Sequence, residues 1–122
     1  MKISHPHSER RRFQRITLQG SVHIYTQQQS WSGRILDISL KGVLVSHPQD
    51  CQTNTQARYR IDLRVHDSIV VSMGAILTRF DDRCLAFSWD RIDLDSFSRL
   101  KRLIELHSSH PDLLNRELSR LG

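Results

Sequence analysis

Four arginines stand close together near the amino terminus, Arg10, Arg11, Arg12 and Arg15, within the run Glu9-Arg10-Arg11-Arg12-Phe13-Gln14-Arg15. A guanidinium is a planar fork of donors that stays charged and grips phosphate oxygens, or the O6/N7 edge of guanine, two bonds at a time. About twenty residues later, Asp37-Ile38-Ser39-Leu40-Lys41-Gly42 offers a carboxylate and a hydroxyl two positions apart. In an extended backbone such a pair shares one face. Gly42 is expected to let the chain turn with a positive φ. These groups suit recognition of a flat, anionic ligand; they are not an assembly for making or breaking bonds.

Taken together, Arg11-xxx-Arg15 followed by Asp37-x-Ser39-xx-Gly42 resembles the PilZ family of bacterial cyclic di-GMP receptors. The resemblance implies a mainly β fold, a six-stranded antiparallel PilZ-type β-barrel with C-terminal α-helices. It also implies a ligand, cyclic di-GMP, in which two guanosines are joined by two phosphodiesters. On that reading Arg11 and Arg15 meet phosphate oxygens or the guanine edge, while Arg10 and Arg12 stack on a base or cover the ligand from outside. Asp37 accepts from the guanine N1–H and exocyclic amine or orients an arginine fork, and the Ser39 hydroxyl does a smaller version of either job. Read as ordinary turn residues, Asp37 caps a turn, Ser39 bonds its own loop and Gly42 is a simple turn glycine. One position departs from the family. Where relatives place an aromatic on the strand before the last barrel strand, this chain reads Leu77-Thr78-Arg79-Phe80. Arg79 is expected to stack there through its planar guanidinium, with Phe80 as the alternative after a one-residue shift.

The elements that must position these groups are visible in the pattern. Val22 and Ile24 alternate with His23 and Tyr25 in a first strand that begins at Ile16 and ends at the polar turn Gln27–Ser30. Trp31 to Ser39 reads as a second strand and Val43 to Val45 as a short third, so the Asp-x-Ser-x-x-Gly segment connects them at a barrel rim. Tyr59, Ile61, Leu63 and Val65 alternate with Arg58, Arg60, Asp62 and Arg64, which indicates a strand with one buried and one wet face. A hairpin turn at His66-Asp67-Ser68 leads to Val71, Met73, Ala75 and Leu77, and a turn at Asp81-Asp82 leads to Leu85, Phe87 and Trp89. The period then changes to that of a helix: Asp93 or Asp95 is the cap, and Phe97, Leu100, Leu103 and Ile104 form a stripe. Pro111 suits the first turn of a second helix carrying Leu114, Leu118 and Leu121.

Size and charge narrow the function further. At 122 residues the chain is one domain. Residues 1–9 are expected to form a mobile arm and residues 10–122 a PilZ domain, with its barrel at about 16–90 and its helices at about 94–121. Hydrophobic residues make up 38% and charged residues 25%, with no run approaching the length of a membrane span and no apolar secretory core at the start. A cytoplasmic protein is therefore expected. The net charge of +5 is uneven, with +4 in residues 1–15 and +1 in all the rest. A local basic arm on a nearly neutral domain suits a compact anion better than a nucleic-acid duplex.

Cys51 and Cys84 lack metal spacing and are expected to be free thiols. His5 and His7 flank a proline without a third ligand, so no metal and no cofactor are expected. The chain carries no GxSxG, P-loop, paired-carboxylate or HExxH arrangement, and an enzyme is not expected. The function that follows is a cyclic di-GMP receptor whose arginine-rich arm closes over the ligand and signals to an unknown downstream protein partner, acting as a monomer without membrane or nucleic-acid contacts. Two rival readings are a nucleic-acid-binding β-barrel that uses the arm as a phosphate clamp, and an interaction module with a degenerate ligand site.

Overall fold

A computed structural model of the chain describes residues 13–66 and 68–121. Arg10, Arg11, Arg12, His5, His7, the expected 1–9 arm and Asp67 lie outside these residues. The described chain runs β1 (Ile16–Thr17), β2 (Ser21–Tyr25), β3 (Ser30–Ile38), β4 (Gly42–Ser46), β5 (Tyr59–Val65), β6 (Ile69–Phe80), β7 (Cys84–Ile92), α1 (Leu94–His107) and α2 (Asp112–Leu121).

Six of these strands close on themselves. Every pairing is antiparallel, in the order β3-β2-β5-β6-β7-β4, and β4 pairs back onto β3 to complete a barrel. The alternation seen in the sequence is the inside–outside alternation of this cylinder. Val22 and Ile24, then Tyr59, Ile61, Leu63 and Val65, then Val71, Met73, Ala75 and Leu77 all point inward and are buried. Fully burying one such side chain contributes about 1.5–3 kcal/mol, and the barrel residues form one continuous core with Leu100, Leu103 and Ile104 of α1 and Leu114 of α2.

The first strand is not continuous from Ile16, as the alternation suggested. Thr17 faces Asp37 and Ser21 faces Arg34, and the register slips between them. The segment Leu18–Gly20 absorbs the slip: Leu18 drops into the core and the Gly20 carbonyl accepts from the Ile35 amide at 2.9 Å. β1 is thus a separate two-residue strand on the end of β3.

Two bulges shape the barrel near that end. In β3, Ile35 pairs with Val45 and Asp37 with Leu44, leaving Leu36 as the extra residue. A bulge of this kind bends the strand and changes which residues face inward, so Ile35 and Ile38 are both buried although they are three apart. In β6, Leu77 pairs with Phe87 and Arg79 with Ala86, leaving Thr78 extra; its hydroxyl donates to the Ala86 carbonyl at 3.0 Å.

Asp93 caps α1 by accepting from the Ser96 amide at 3.0 Å. The buried Ser96 hydroxyl in turn accepts from the Ser72 amide at 3.0 Å, which pins the helix start to β6. Phe97 meets Trp89 edge-on, with ring centroids 6.0 Å apart. Pro111 stands just before α2, and the face that α2 buries carries Leu114 and Glu117. Cys51 and Cys84 are free.

Candidate functional site

The Asp37–Gly42 segment is anchored by the residues between its polar ones. Ile38 and Leu40 point inward and are fully buried, which leaves Asp37 and Ser39 on the outer side at the rim. β1 brings Arg15 to them: Ile16 pairs with Ile38 and Thr17 with Asp37, so Arg15 arrives beside the end of β3. Its Nε lies 3.4 Å from Asp37 Oδ1, with the arginine side chain 44% and the aspartate side chain 21% exposed. Arg15 and Asp37 are thus paired in the folded chain by one long contact through Nε.

Burial raises the Asp37 carboxyl above its ordinary pKa, and the Arg15 charge and hydrogen bond pull it down without prevailing. One long contact to a half-exposed guanidinium leaves the carboxylate under-compensated. It is suited to accept from a further donor, such as the N1–H and amine of a guanine.

Ser39 bonds its own turn. Its Oγ accepts from the amides of Lys41 at 3.1 Å and Gly42 at 3.3 Å, and its amide donates to the Gly42 carbonyl at 2.9 Å. Those bonds use the oxygen as acceptor and leave the hydroxyl hydrogen to donate outward. From the other side, Trp89 Nε1 donates to the Leu40 carbonyl at 2.7 Å, its backbone amide donates to the Lys41 carbonyl at 3.2 Å, and the Lys41 ammonium sits 5.3 Å from the Trp89 ring centroid.

Gly42 requires a correction. No glycine has a positive φ among the described residues; the need for glycine here is one of space. A Cβ on Gly42 would lie 2.0 Å from the Phe87 carbonyl oxygen and 3.1 Å from Ser88 Cα. The β4–β7 seam closes only because position 42 has no side chain.

Arg15, Asp37, Ser39, Gly42 and Arg79 line one open cleft of about 180 Å³. Arg79 reaches it from β6 because the Thr78 bulge turns the strand end outward. Phe80, the alternative stacking residue, is 49% exposed and is not part of the cleft wall. Arg10, Arg11 and Arg12 lie outside the described residues. Phe13, Lys41, Thr78 and Ser88 also line the cleft without having been singled out in the sequence. Phe13 had a signal, being the one aromatic within the arginine run. Among the described residues no group of three His, Cys, Asp or Glu side chains is arranged to hold a metal, and no helix is long and apolar enough to cross a membrane.

Comparison with solved structures finds the same fold elsewhere. The PilZ domain with c-di-GMP of YcgR from Escherichia coli superposes with a TM-score of 0.63 at 19% identity, covering 91% of this chain and 98% of that one. The PilZ domain of CeSA from a cellulose-synthesizing bacterium matches with a TM-score of 0.61 at 19% identity, covering 75% of this chain and 94% of that one. The Bacillus subtilis inhibitor of motility, MotI/DgrA, matches with a TM-score of 0.66 at 15% identity over 98% of this chain, which spans 54% of that protein's length. At the level of sequence, the PilZ domain pattern matches residues 9–106, from the arginine run through α1. With that match extending over most of its length, the chain belongs to the PilZ domain family.

Proposed function

We propose that this protein is a receptor for cyclic di-GMP. The observation that carries the reading is the convergence on one cleft of Arg15, Asp37, Ser39 and Arg79, from three separate parts of the chain. Arg15 supplies a fork for a phosphate or a guanine O6/N7 edge. Asp37 accepts from the guanine N–H donors, the Ser39 hydroxyl donates, and Arg79 lies flat against a base. Membership of a family in which the YcgR PilZ domain carries c-di-GMP supports the same ligand.

The size of the cleft supports a role for the arm. Pockets that enclose a small ligand are roughly 300–1,000 Å³, and this cleft is about 180 Å³ and open. A cyclic dinucleotide seated there has one side uncovered. Arg10, Arg11 and Arg12, directly before Phe13, supply the cover, closing on the phosphates and presenting a changed surface to a downstream protein. Ordering the arm costs free energy, which reduces affinity below what the contacts alone would give. The protein acts by binding, as a cytoplasmic monomer, and performs no chemistry of its own.

Isothermal titration with cyclic di-GMP, with GTP and a short single-stranded RNA as controls in the same moderate salt, tests the reading. Saturable binding of the cyclic dinucleotide alone is expected, with the stoichiometry distinguishing one ligand from a stacked pair. Silence toward it, with RNA binding that disappears as salt rises, would transfer the arginines to a nucleic-acid role.

A further inference from the structure

Glu117 is the one charged side chain that is buried among the described residues, at 3% exposure. It lies on α2 in the same stripe as Leu114 and Leu118, where an apolar residue would pack without desolvating a charge. Its Oε2 accepts the backbone N–H of Gln14 at 3.0 Å, while Oε1 is buried with no hydrogen-bond partner among the described residues. Among the described residues, the hydrogen bond of this carboxylate therefore goes to the backbone of the arginine motif. The Gln14 side chain is held by the same region. Its Nε2 donates to the His110 carbonyl at 3.4 Å, and its Oε1 accepts from the Ser108 hydroxyl. Ser108 and His110 form the joint between α1 and α2. The neighbours of Gln14 on either side, Phe13 and Arg15, both line the cleft.

We propose that Glu117 is a positioning residue that ties α2 to the Phe13–Arg15 segment, so that docking of the helix and the Arg15–Asp37 arrangement form one cooperative unit. The role in ligand binding rests on the receptor reading above; the tie itself does not. Three bonds on Gln14 fix the backbone between two cleft residues and so preorganise them. A ligand that draws Arg15 off Asp37 must work against the Glu117–Gln14 bond, and by linkage whatever holds or releases α2 changes ligand affinity by the same factor. α2 is thereby the element on which occupancy of the cleft is read out.

The test uses the full chain and two readouts, amide hydrogen exchange in the free protein and titration with cyclic di-GMP. In Glu117→Ala, exchange at the Gln14 amide is expected to quicken at least tenfold relative to Ile61 and Leu63 in the barrel, and cyclic di-GMP affinity to fall about tenfold. Glu117→Gln keeps an acceptor oxygen and is expected to restore both to within about threefold of the parent. Ser108→Ala, which removes only the bond to Gln14 Oε1, is expected to weaken affinity about threefold and serves if Glu117→Ala does not fold. Unchanged exchange at Gln14 in Glu117→Ala overturns the tie. Faster exchange with unchanged affinity overturns the positioning role. Faster exchange in a protein that in no form binds the cyclic dinucleotide upholds the tie and sinks the receptor reading.

Discussion

Replacing Gly42 by alanine separates two reasons for needing glycine, space and backbone conformation. Neither Gly42 nor Gly74 has a positive φ, so alanine is conformationally permitted at both, and the difference between them lies in what the new methyl group meets. At Gly42 it would lie 2.0 Å from the Phe87 carbonyl oxygen, with Phe87 C and Ser88 Cα at 3.1 Å. All three are backbone atoms of the paired strand, where Gly42 stands opposite Ser88, and cannot rotate away. Relieving the clash requires the β4–β7 ladder to part by about an ångström, the severe end of overpacking, at a cost of about 3 kcal/mol or more. For a domain of this size that lowers the melting temperature by about 10 °C. At Gly74 the nearest atom to the added methyl is Arg91 Cβ at 3.5 Å, an ordinary contact. The reduced freedom of the unfolded chain then leaves Gly74→Ala neutral to about 1 kcal/mol stabilising. Urea and thermal unfolding of the two variants beside the parent measure both effects. If Gly42→Ala unfolds within about 0.5 kcal/mol of the parent, or Gly74→Ala is equally damaging, steric closure of the seam is not what glycine provides there.

Arg15→Ala is expected to weaken cyclic di-GMP binding at least tenfold in titration, because it removes a charged fork and leaves Asp37 without its partner. Arg79→Trp is expected to tighten binding about fivefold by giving the base a larger flat surface, and Arg79→Ala to weaken it; the opposite order would remove Arg79 from the stacking role. Ser96→Ala strands the Ser72 amide and is expected to cost about 1–2 kcal/mol in urea unfolding. Asp81 and Asp93 are held below the ordinary carboxylate pKa, chiefly by backbone amides of Arg83 and Cys84 for the first and of Ser96 for the second. The unfolded chain therefore takes up their protons first as pH falls, so their stabilisation is present above about pH 4 and is lost below it. Asp37, raised by burial, acts in the opposite sense. Thermal melts between pH 3 and 7 should show the midpoint dropping at the acid end, and the drop should be shallower in Asp93→Ala.

Alternation made most of the barrel readable, because each strand has one face in the core and one in water. It failed where the backbone breaks period. Ile35 and Ile38 are three apart, which fits neither a strand nor a helix until a bulge at Leu36 is known. The single extra residue Thr78 likewise decides that Arg79 and not Phe80 enters the cleft. The break at Leu18–Gly20 is hidden in the sequence, since Leu18 continues the apolar rhythm of Ile16 while the pairing partner changes register. Gly42 reads in sequence as a turn residue, and only the distance to a strand more than forty positions away reveals its true constraint. Glu117 carried a legible signal: it stands three residues after Leu114 and one before Leu118, inside the apolar stripe, and a charge in that place asks for a buried partner. Which partner it finds is a long-range fact, since Gln14 lies at the other end of the chain.

The double employment of the Asp37–Gly42 segment bears on how such proteins change over evolutionary time. Ser39 ties its turn, Gly42 admits the strand beside it, and Ile38 and Leu40 fill the core. Selection for a folded barrel alone would retain these residues whatever the cleft binds. Arg79, exposed and without a hydrogen bond or ion pair among the described residues, holds no part of the barrel together. On the receptor reading, a change at Arg79 touches the ligand and leaves the barrel standing, whereas a change at Ser39 or Gly42 touches both.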